Sequence, residues 1–240
     1  MMDDEERKEV ISGDLMVVHL PRDEFAKKIG LGLPKSSTLL IEGEEGSGRS
    51  VVCQRLTYGL LENGYSVTYI STELTLKDFI NQMYSMRYSV GPHLISTNLR
   101  FIPVLPIIGE RLPKEGYLET LMSHTDLYST DVTIIDCFGE MLHTSNGGGD
   151  MDRFLEHMKK TVHNDKALII TALKGQPGLD RIRQSCDLYF DLELKSSSYG
   201  LRHIIKVRRY LKARGKVDKM VEFRVEPDVG LIIEITEVSG

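Results

Sequence analysis

One stretch of eight residues limits the fold of this chain more than any other feature of its sequence. It reads Gly43-Glu44-Glu45-Gly46-Ser47-Gly48-Arg49-Ser50 and stands between a predicted strand, residues 37–42, and a predicted helix, residues 51–62. It matches the pattern G-x-x-x-x-G-K-[ST] except that Arg49 replaces the lysine. Glycines allow backbone N–H groups to surround an anion, and the following helix directs its positive end to the same point. The stretch therefore predicts a strand, a phosphate-binding loop and a helix, in that order.

The loop also predicts which residues hold a polyphosphate. The candidates for nucleotide binding are the loop residues and the one that follows them: Gly43, Glu45, Gly46, Ser47, Gly48, Arg49, Ser50 and Val51. Ser50 is in addition the candidate ligand of Mg²⁺. A guanidinium is wide, planar and forked where a lysine is a slim point charge, so Arg49 need not preserve the geometry of phosphoryl transfer. We expect binding to persist and hydrolysis to be weak or absent, which leaves open whether the protein is an enzyme.

Two carboxylates support this interpretation. Asp136 ends the apolar segment 132–136, and at the carboxyl edge of a parallel sheet it could orient the water shell of Mg²⁺. The alternative is an aspartate that caps the next turn. Glu73 follows the predicted strand 65–72, where it could act as the base that activates water. Its alternative is a solvated glutamate in a loop.

Strands alternate with helices along most of the chain, which predicts a mainly parallel α/β sheet flanked by helices. The sequence patterns place strands at 37–42, 65–72, 99–105, 132–136 and 167–171, and helices at 51–62, 76–88, 118–127 and 151–163. After residue 187 only strands are predicted, at 188–194, 201–209 and 221–235, the last bent into a hairpin at 227–230. We expect one domain over residues 1–240, with antiparallel strands at its C-terminal end and a polar N-terminal extension at about residues 1–11.

Composition and charge exclude several classes of protein. Hydrophobic residues make up 41% of the chain, yet no apolar run approaches the ~18 residues of a membrane-spanning helix. The formal net charge of −5 does not favour a protein that coats nucleic acid. The acidic N-terminus lacks the features of a secretory signal, so we expect a cytoplasmic protein without direct membrane insertion. Three widely spaced cysteines are expected to be reduced thiols in the core: Cys53, Cys137 and Cys186.

The order of these motifs resembles the RecA/KaiC superfamily. The lead-in Gly-x-Gly-Leu-Pro-x-Ser at 30–36, the phosphate loop, Glu73, Asp136 and the sequence Lys206-Val207-Arg208 follow one another as in that superfamily. The similarity extends from about residue 11 to residue 235. The stretches RDEFAKKIGLGLP, LIEGEEGSGRSVVCQRL and NGYSVTYISTELT are most similar to the KaiC-like accessory ATPases of the archaellum, the archaeal motility filament. The resemblance implies a RecA/KaiC-like P-loop NTPase core.

The resemblance further implies a regulatory role. It implies a subunit that binds ATP and Mg²⁺ and forms homo-oligomers, of which a hexameric ring is one form. The subunit would dock on a FlaI-like archaellum motor ATPase beneath the membrane platform complex. Nucleotide occupancy would control oligomerisation and docking. Lys206 and Arg208 would share one strand face and contact the γ-phosphate of the ATP in the neighbouring subunit. The alternative for this pair is a solvated basic edge strand.

Three other functions remain open. A recombinase-like DNA-binding ATPase is supported by a cluster of cations, although the total charge is negative and only Tyr210 is available for base stacking. The cluster comprises Arg202, Lys206, Arg208, Arg209, Lys212, Arg214, Lys216 and Lys219. An active KaiC-like ATPase or kinase in signalling would depend on turnover. A scaffold that has lost its nucleotide would show no stabilisation by Mg-ATP.

Three segments are candidates for partner contacts. Gly147-Gly148-Gly149 and residues 174–186 are expected to be loops in regions where RecA-like proteins carry such contacts. Met83 and Met86 would form a docking surface if they were exposed, although methionines at helical spacing more often fill a core.

Overall fold

The structure, a computed structural model, describes residues 13–104, 117–138, 148–197 and 200–234. Its strands are β1 (Leu15–Val17), β2 (Gly32–Pro34), β3 (Ser37–Gly43), β4 (Val67–Ser71), β5 (Leu99–Pro103), β6 (Val132–Asp136), β7 (Ala167–Leu173), β8 (Leu188–Ser197), β9 (Gly200–Tyr210), β10 (Met220–Glu226) and β11 (Gly230–Ile233). Its helices are α1 (Phe25–Lys28), α2 (Arg49–Glu62), α3 (Leu76–Ser85), α4 (Gly91–Ile95), α5 (Tyr117–Ser123), α6 (Gly148–Thr161) and α7 (Leu179–Ser185), with a 3₁₀ helix at Thr125–Tyr128. The predicted extension at about 1–11 lies outside the described residues.

A nine-stranded sheet organises these elements in the order β11-β10-β9-β8-β3-β7-β6-β4-β5. Neighbouring strands from β8 to β5 are parallel, and β9, β10 and β11 extend the sheet in antiparallel pairs. The predicted fold class, a mainly parallel sheet with C-terminal antiparallel strands, is confirmed. β1 and β2 pair with each other in a separate sheet that was not predicted, because strands of three residues carry too short a pattern.

The core lies on both faces of the large sheet. Leu39 and Ile41 of β3 face a cluster that includes Leu56 of α2, whereas Leu40 faces a second cluster that includes Phe154 of α6. Successive strand residues point to opposite faces, so a strand buried on both sides is apolar throughout. All three cysteines are buried free thiols, as expected from their positions. None of the described helices is both long and apolar enough to cross a bilayer.

The helix that follows the phosphate loop has clear boundaries. Gly48 precedes α2 with a left-handed backbone, φ 93°, and Gly64 follows its C-terminal cap with φ 86°. Glycine adopts this conformation without steric cost, which lets the chain turn sharply at both ends. The helix therefore begins where the loop ends, with its N-terminus toward the loop.

Several predicted elements were wrong in detail. The predicted helix 76–88 ends at Ser85, and the short helix α4, which was not predicted, begins at Gly91 with Pro92 in its first turn. The predicted helix 118–127 is α5 followed by a 3₁₀ helix. The loop predicted at 174–186 contains α7, whose single apolar face of Leu179 and Ile182 is too short to give a periodic signal.

The two other candidate contact segments have different outcomes. Gly148 and Gly149 belong to α6 rather than to a loop, and Gly147 lies outside the described residues. Met83 and Met86 are only 0% and 4% exposed, so they do not form a docking surface. Both pack into the cluster that also contains Phe79 and Tyr69, because α3 turns this side toward the sheet.

Candidate functional site

The predicted phosphate loop connects β3 to α2 and is shaped by its glycines. Gly46 and Gly48 have left-handed backbones, with φ 73° and 93°. A methyl group at Gly43 would lie 2.3 Å from the Ser47 Oγ and 2.9 Å from the carbonyl oxygen of Leu192. Only glycine therefore allows β3, β8 and the loop to approach this closely.

The loop borders a cavity of about 680 Å³ that suits a phosphate-bearing ligand. The Ser47 Oγ is buried and has no hydrogen-bond partner among the described residues. A buried hydroxyl without a partner is costly, but Ser47 is not among the residues that line the cavity. The cavity is lined by Glu45, Gly46, Gly48, Arg49, Ser50, Val51, Glu73, Leu173, His203 and Val225. The structure thus brings most of the predicted nucleotide-binding residues together, with Gly43 and Ser47 buried beneath them.

Asp136 ends β6 next to the start of α2 and is only 3% exposed. Its Oδ1 accepts hydrogen bonds from the Ser50 Oγ at 3.2 Å and the Thr171 Oγ1 at 2.7 Å, and its Oδ2 accepts one from the Tyr69 hydroxyl at 2.6 Å. Burial, and then the Asp136 charge, raise the pKa of Tyr69 well above its usual value, so the phenol remains a donor. The carboxylate is thus held beside Ser50, an arrangement that fits Mg²⁺ bound through water.

Arg49 occupies the position of the P-loop lysine, but its guanidinium extends toward the end of β6. Its Nη1 lies 3.4 Å from the Cys137 Sγ, in the residue that follows Asp136. The side chain also lines the cavity, so its charge borders the space where a phosphate would lie. A forked guanidinium in this position supplies positive charge to an anion but not the single slim donor of a lysine.

Glu73 lies at the cavity, where the sequence predicted a base. It is exposed, follows β4 by two residues, and is among the lining residues. Its backbone N–H donates to the Ser71 Oγ at 3.3 Å, which fixes the turn after the strand. From this position Glu73 could contact a water molecule in the cavity. Its role as a catalytic base stays a prediction.

Three lining residues were missed by the sequence analysis: Leu173, His203 and Val225. The His203 Nδ1 lies 3.0 Å from the Ser47 carbonyl oxygen, and the ring stacks on Phe223 with centroids 5.0 Å apart. Ser47 and His203 are 156 residues apart in the chain. No local pattern could have revealed this contact, because it depends on the register of the antiparallel strands.

Lys206 and Arg208 form ion pairs inside the chain. The Lys206 Nζ lies 2.6 Å from the Glu193 Oε1, and the Arg208 Nη2 lies 2.8 Å from the Asp191 Oδ2. Glu193 and Asp191 alternate along β8, so both cations lie on one face of the sheet. The alternative of a basic edge strand is wrong, because β9 is paired with β8 on one side and β10 on the other.

Arg208 also marks an irregularity in the sheet. β9 pairs Val207 with Phe190 and Arg209 with Tyr189, so Arg208 is the extra residue of a β-bulge. Asp191 is shared with Lys174, whose Nζ lies 2.5 Å from its Oδ1. Burial raises the pKa of Asp191, but hydrogen bonds from Lys174 and Arg208 outweigh it and lower the pKa below its usual value. The carboxylate therefore stays charged and holds both cations.

Other members of the basic cluster are paired as well. Arg202 contacts Glu222 and Glu234, and Arg209 donates to the carbonyl oxygens of Arg183 and Cys186. The remaining contacts join Lys212 to the Ser36 carbonyl oxygen, Arg214 to Asp14, and Lys216 to Asp218. Five of the eight cations are thus paired with carboxylates, which weakens the case for binding DNA phosphates. The carbonyl contacts leave the charges of Arg209 and Lys212 uncompensated.

The fold and the site together define a P-loop protein of the RecA-like type. Its mainly parallel sheet ends a central strand in a glycine-rich loop, a helix follows the loop, and the buried Asp136 lies beside Ser50. A family model described as ATPase: KaiC matches residues 23–237. The archaeal flagellar ATP-binding protein FlaH from Methanocaldococcus jannaschii is 38% identical over 229 residues, covering 94% of this chain and 98% of that protein. FlaH from Methanococcus voltae is 31% identical over 226 residues, covering 92% of this chain and 98% of that protein.

Solved structures of a FlaH protein and of a KaiC-like protein are also similar to this chain. The crystal structure of flagellar accessory protein FlaH from Methanocaldococcus jannaschii superposes with a TM-score of 0.88, covering 93% of this chain and 100% of that one. A KaiC-like protein from Pyrococcus horikoshii, 14% identical, shares the fold with a TM-score of 0.71 over 93% of this chain and 98% of its own. The chain belongs to the KaiC family of ATPases and, within it, to the FlaH proteins. The resemblance drawn from the motifs is confirmed.

Proposed function

We propose that this protein is an ATP-binding regulatory subunit of the archaellum motor, in which nucleotide occupancy controls self-association and docking. The partner would be a FlaI-like motor ATPase beneath the membrane platform, with the protein in the cytoplasm at that complex. The names of its relatives support an ATP-binding role in archaeal motility. The observation that carries the proposal is the glycine loop, whose residues Gly46, Gly48, Arg49 and Ser50 line a cavity of about 680 Å³.

Different residues around the loop would bind the phosphates of ATP and the Mg²⁺ ion. Backbone N–H groups of the loop and the N-terminus of α2 would bind the phosphates of ATP, and Arg49 would add positive charge. Ser50 and Asp136 would hold Mg²⁺, the aspartate through water. Bound Mg²⁺ would neutralise phosphate charge. Arg49, which lies 3.4 Å from Cys137 in place of a lysine, favours occupancy over turnover.

The first experiment measures melting of the purified protein with Mg-ATP, with Mg-ADP, or with adenosine and free Mg²⁺, and phosphate release is assayed in the same samples. We expect both nucleotides to stabilise the protein by about 2.7 kcal/mol at a hundredfold excess over Kd, since a ligand of the native state stabilises by mass action. Adenosine, which lacks phosphates, serves as the matched control. Stabilisation without phosphate release supports an occupancy switch. No stabilisation would contradict the proposal and leave a scaffold.

Glu73 at the cavity keeps an active ATPase as the second candidate function. If Arg49 is what limits turnover, Arg49→Lys should raise phosphate release by about tenfold, which corresponds to about 1.4 kcal/mol in the barrier. The control is Arg49→Lys combined with Glu73→Gln, which should return the rate to that of the starting protein. An unchanged rate in Arg49→Lys would contradict a limiting role for the arginine.

Lys206 and Arg208 are proposed to contact ATP across a subunit interface. Their present partners, Glu193 and Asp191, would orient them on one face of the sheet. Lys206→Ala with Arg208→Ala should raise the concentration needed for half-assembly in Mg-ATP by about tenfold or more, as expected from a loss of about 1.4 kcal/mol. Arg214→Ala with Lys216→Ala removes two exposed cations and is the control. Identical elution of both double variants in gel filtration would refute the interface role.

A further inference from the structure

His203 joins the phosphate loop to the antiparallel part of the sheet. It lies on β9, opposite Leu194 of β8 and Phe223 of β10. Its Nδ1 is 3.0 Å from the Ser47 carbonyl oxygen, and the same ring lines the cavity beside Arg49 and Ser50. A single side chain thus contacts the loop backbone and faces the space that the loop borders.

The partner atom determines which ring nitrogen carries the proton. A carbonyl oxygen only accepts hydrogen bonds, so the Nδ1 of His203 must be the donor. In the neutral imidazole the Nε2 is then unprotonated. The contact therefore selects one tautomer of His203.

The loop takes its shape against this ring and its neighbour. A methyl group at Gly48 would lie 3.0 Å from the Phe223 Cζ and 3.1 Å from the His203 Nδ1. The left-handed backbone of Gly48 follows directly after the carbonyl that His203 holds. The Ser47 carbonyl and the Gly48 N–H belong to one planar peptide, so the hydrogen bond that holds the carbonyl also fixes the direction of that N–H.

We propose that His203 is a positioning residue of the nucleotide site. Its Nδ1–H holds the Ser47 carbonyl and, with Phe223, preforms the phosphate loop before the ligand arrives. Preorganisation raises affinity because the ligand does not have to order the loop. This inference rests on the proposed nucleotide binding and adds a residue, distant in sequence, on which its strength depends.

Calorimetric titration of the full chain with Mg-ADP, a probe that is not turned over by hydrolysis, tests the proposal with three variants. His203→Asn keeps a donor at the position of Nδ1, His203→Gln places one near Nε2, and His203→Phe keeps the ring but has no donor. We expect His203→Phe and His203→Gln to bind about fivefold or more weakly, as for a lost hydrogen bond, and His203→Asn to stay within about twofold of the starting protein. Melting without nucleotide verifies that each variant is folded.

The outcomes separate this inference from the function on which it rests. No heat with the unaltered chain would overturn both. Binding by the unaltered chain and equally by His203→Phe would overturn only the role of His203. Rescue by glutamine and not by asparagine would also overturn it, because the ring would then act through Nε2. Nitrogen NMR of the imidazole without nucleotide should show Nδ1 protonated and Nε2 unprotonated at a pH where the ring is neutral; the opposite tautomer would contradict the contact.

Discussion

Asp136→Asn should weaken the binding of Mg-ADP by about 10- to 100-fold, the usual cost of losing a group that orients a metal's water shell. The substitution keeps the shape of the side chain but removes the charge that would attract Mg²⁺. The fold should survive, since the hydroxyls of Ser50, Thr171 and Tyr69 can each rotate to donate to or accept from an amide. Titrations with ADP in the presence of Mg²⁺ and of a chelator give the two affinities needed.

The control for this prediction is Asp126→Asn, which removes a carboxylate that is 68% exposed and pairs with Arg100 at 3.4 Å. It should leave both affinities unchanged. Equal losses with and without Mg²⁺ in Asp136→Asn would show that the aspartate supports the loop rather than the metal.

Arg55→Met should lower the free energy of unfolding by about 3–5 kcal/mol. Arg55 lies on α2 with its side chain 0% exposed, and its Nε and Nη2 each donate to a carboxylate oxygen of Asp23 at 2.6 Å. Its Nη1 donates to the Val18 carbonyl oxygen at 3.0 Å. Methionine fills similar space but leaves the Asp23 charge buried without its cation, which is the main cost. Urea unfolding with an unchanged m-value would isolate the change in stability.

Arg214→Met is the matched control for Arg55→Met. Arg214 also binds the N-terminal segment, through Asp14, but the two side chains are 53% and 65% exposed. Exposed ion pairs contribute about 0–1 kcal/mol, so unfolding should change little. Similar effects of the two substitutions would mean that the Asp23 pair is solvated in solution and not a buried contact.

The sequence predicted the parts of the fold that depend on local patterns. β3, α2 and β6 were found within about two residues, because their apolar periodicity and the glycine loop are continuous in the chain. The change to antiparallel strands was also readable from alternation, but it comes after β8, which still pairs in parallel with β3. Short elements such as α4 and β1 were missed, since a few residues carry no periodic signal.

The parts of the site that the sequence did not predict depend on distant contacts. The carboxylate of Asp136 was expected at the sheet edge, but its bonds to Tyr69 and Thr171 come from neighbouring strands. Arg55 is followed directly by the apolar Leu56, and nothing in the local pattern points to a partner 32 residues earlier in the chain. β9 lies inside the sheet and not at its edge because β10 pairs with the side of β9 that faces away from β8, and the sequence alone did not predict that pairing. Such contacts are set by register, which a single sequence specifies only weakly.

The pairing of β9 on both sides has a mechanical consequence. β9 cannot slide past β8 without breaking a ladder of ten paired positions. His203 projects from one face of this strand, and Lys206 and Arg208 contact carboxylates on the other. A rotation of β9 about its own axis would move the imidazole and the two cations in opposite directions, because they lie on opposite faces of the strand. If His203 and the pair Lys206 and Arg208 act as proposed, one strand carries the contact to the chain's own phosphate loop on one face and the contact to a neighbouring subunit on the other.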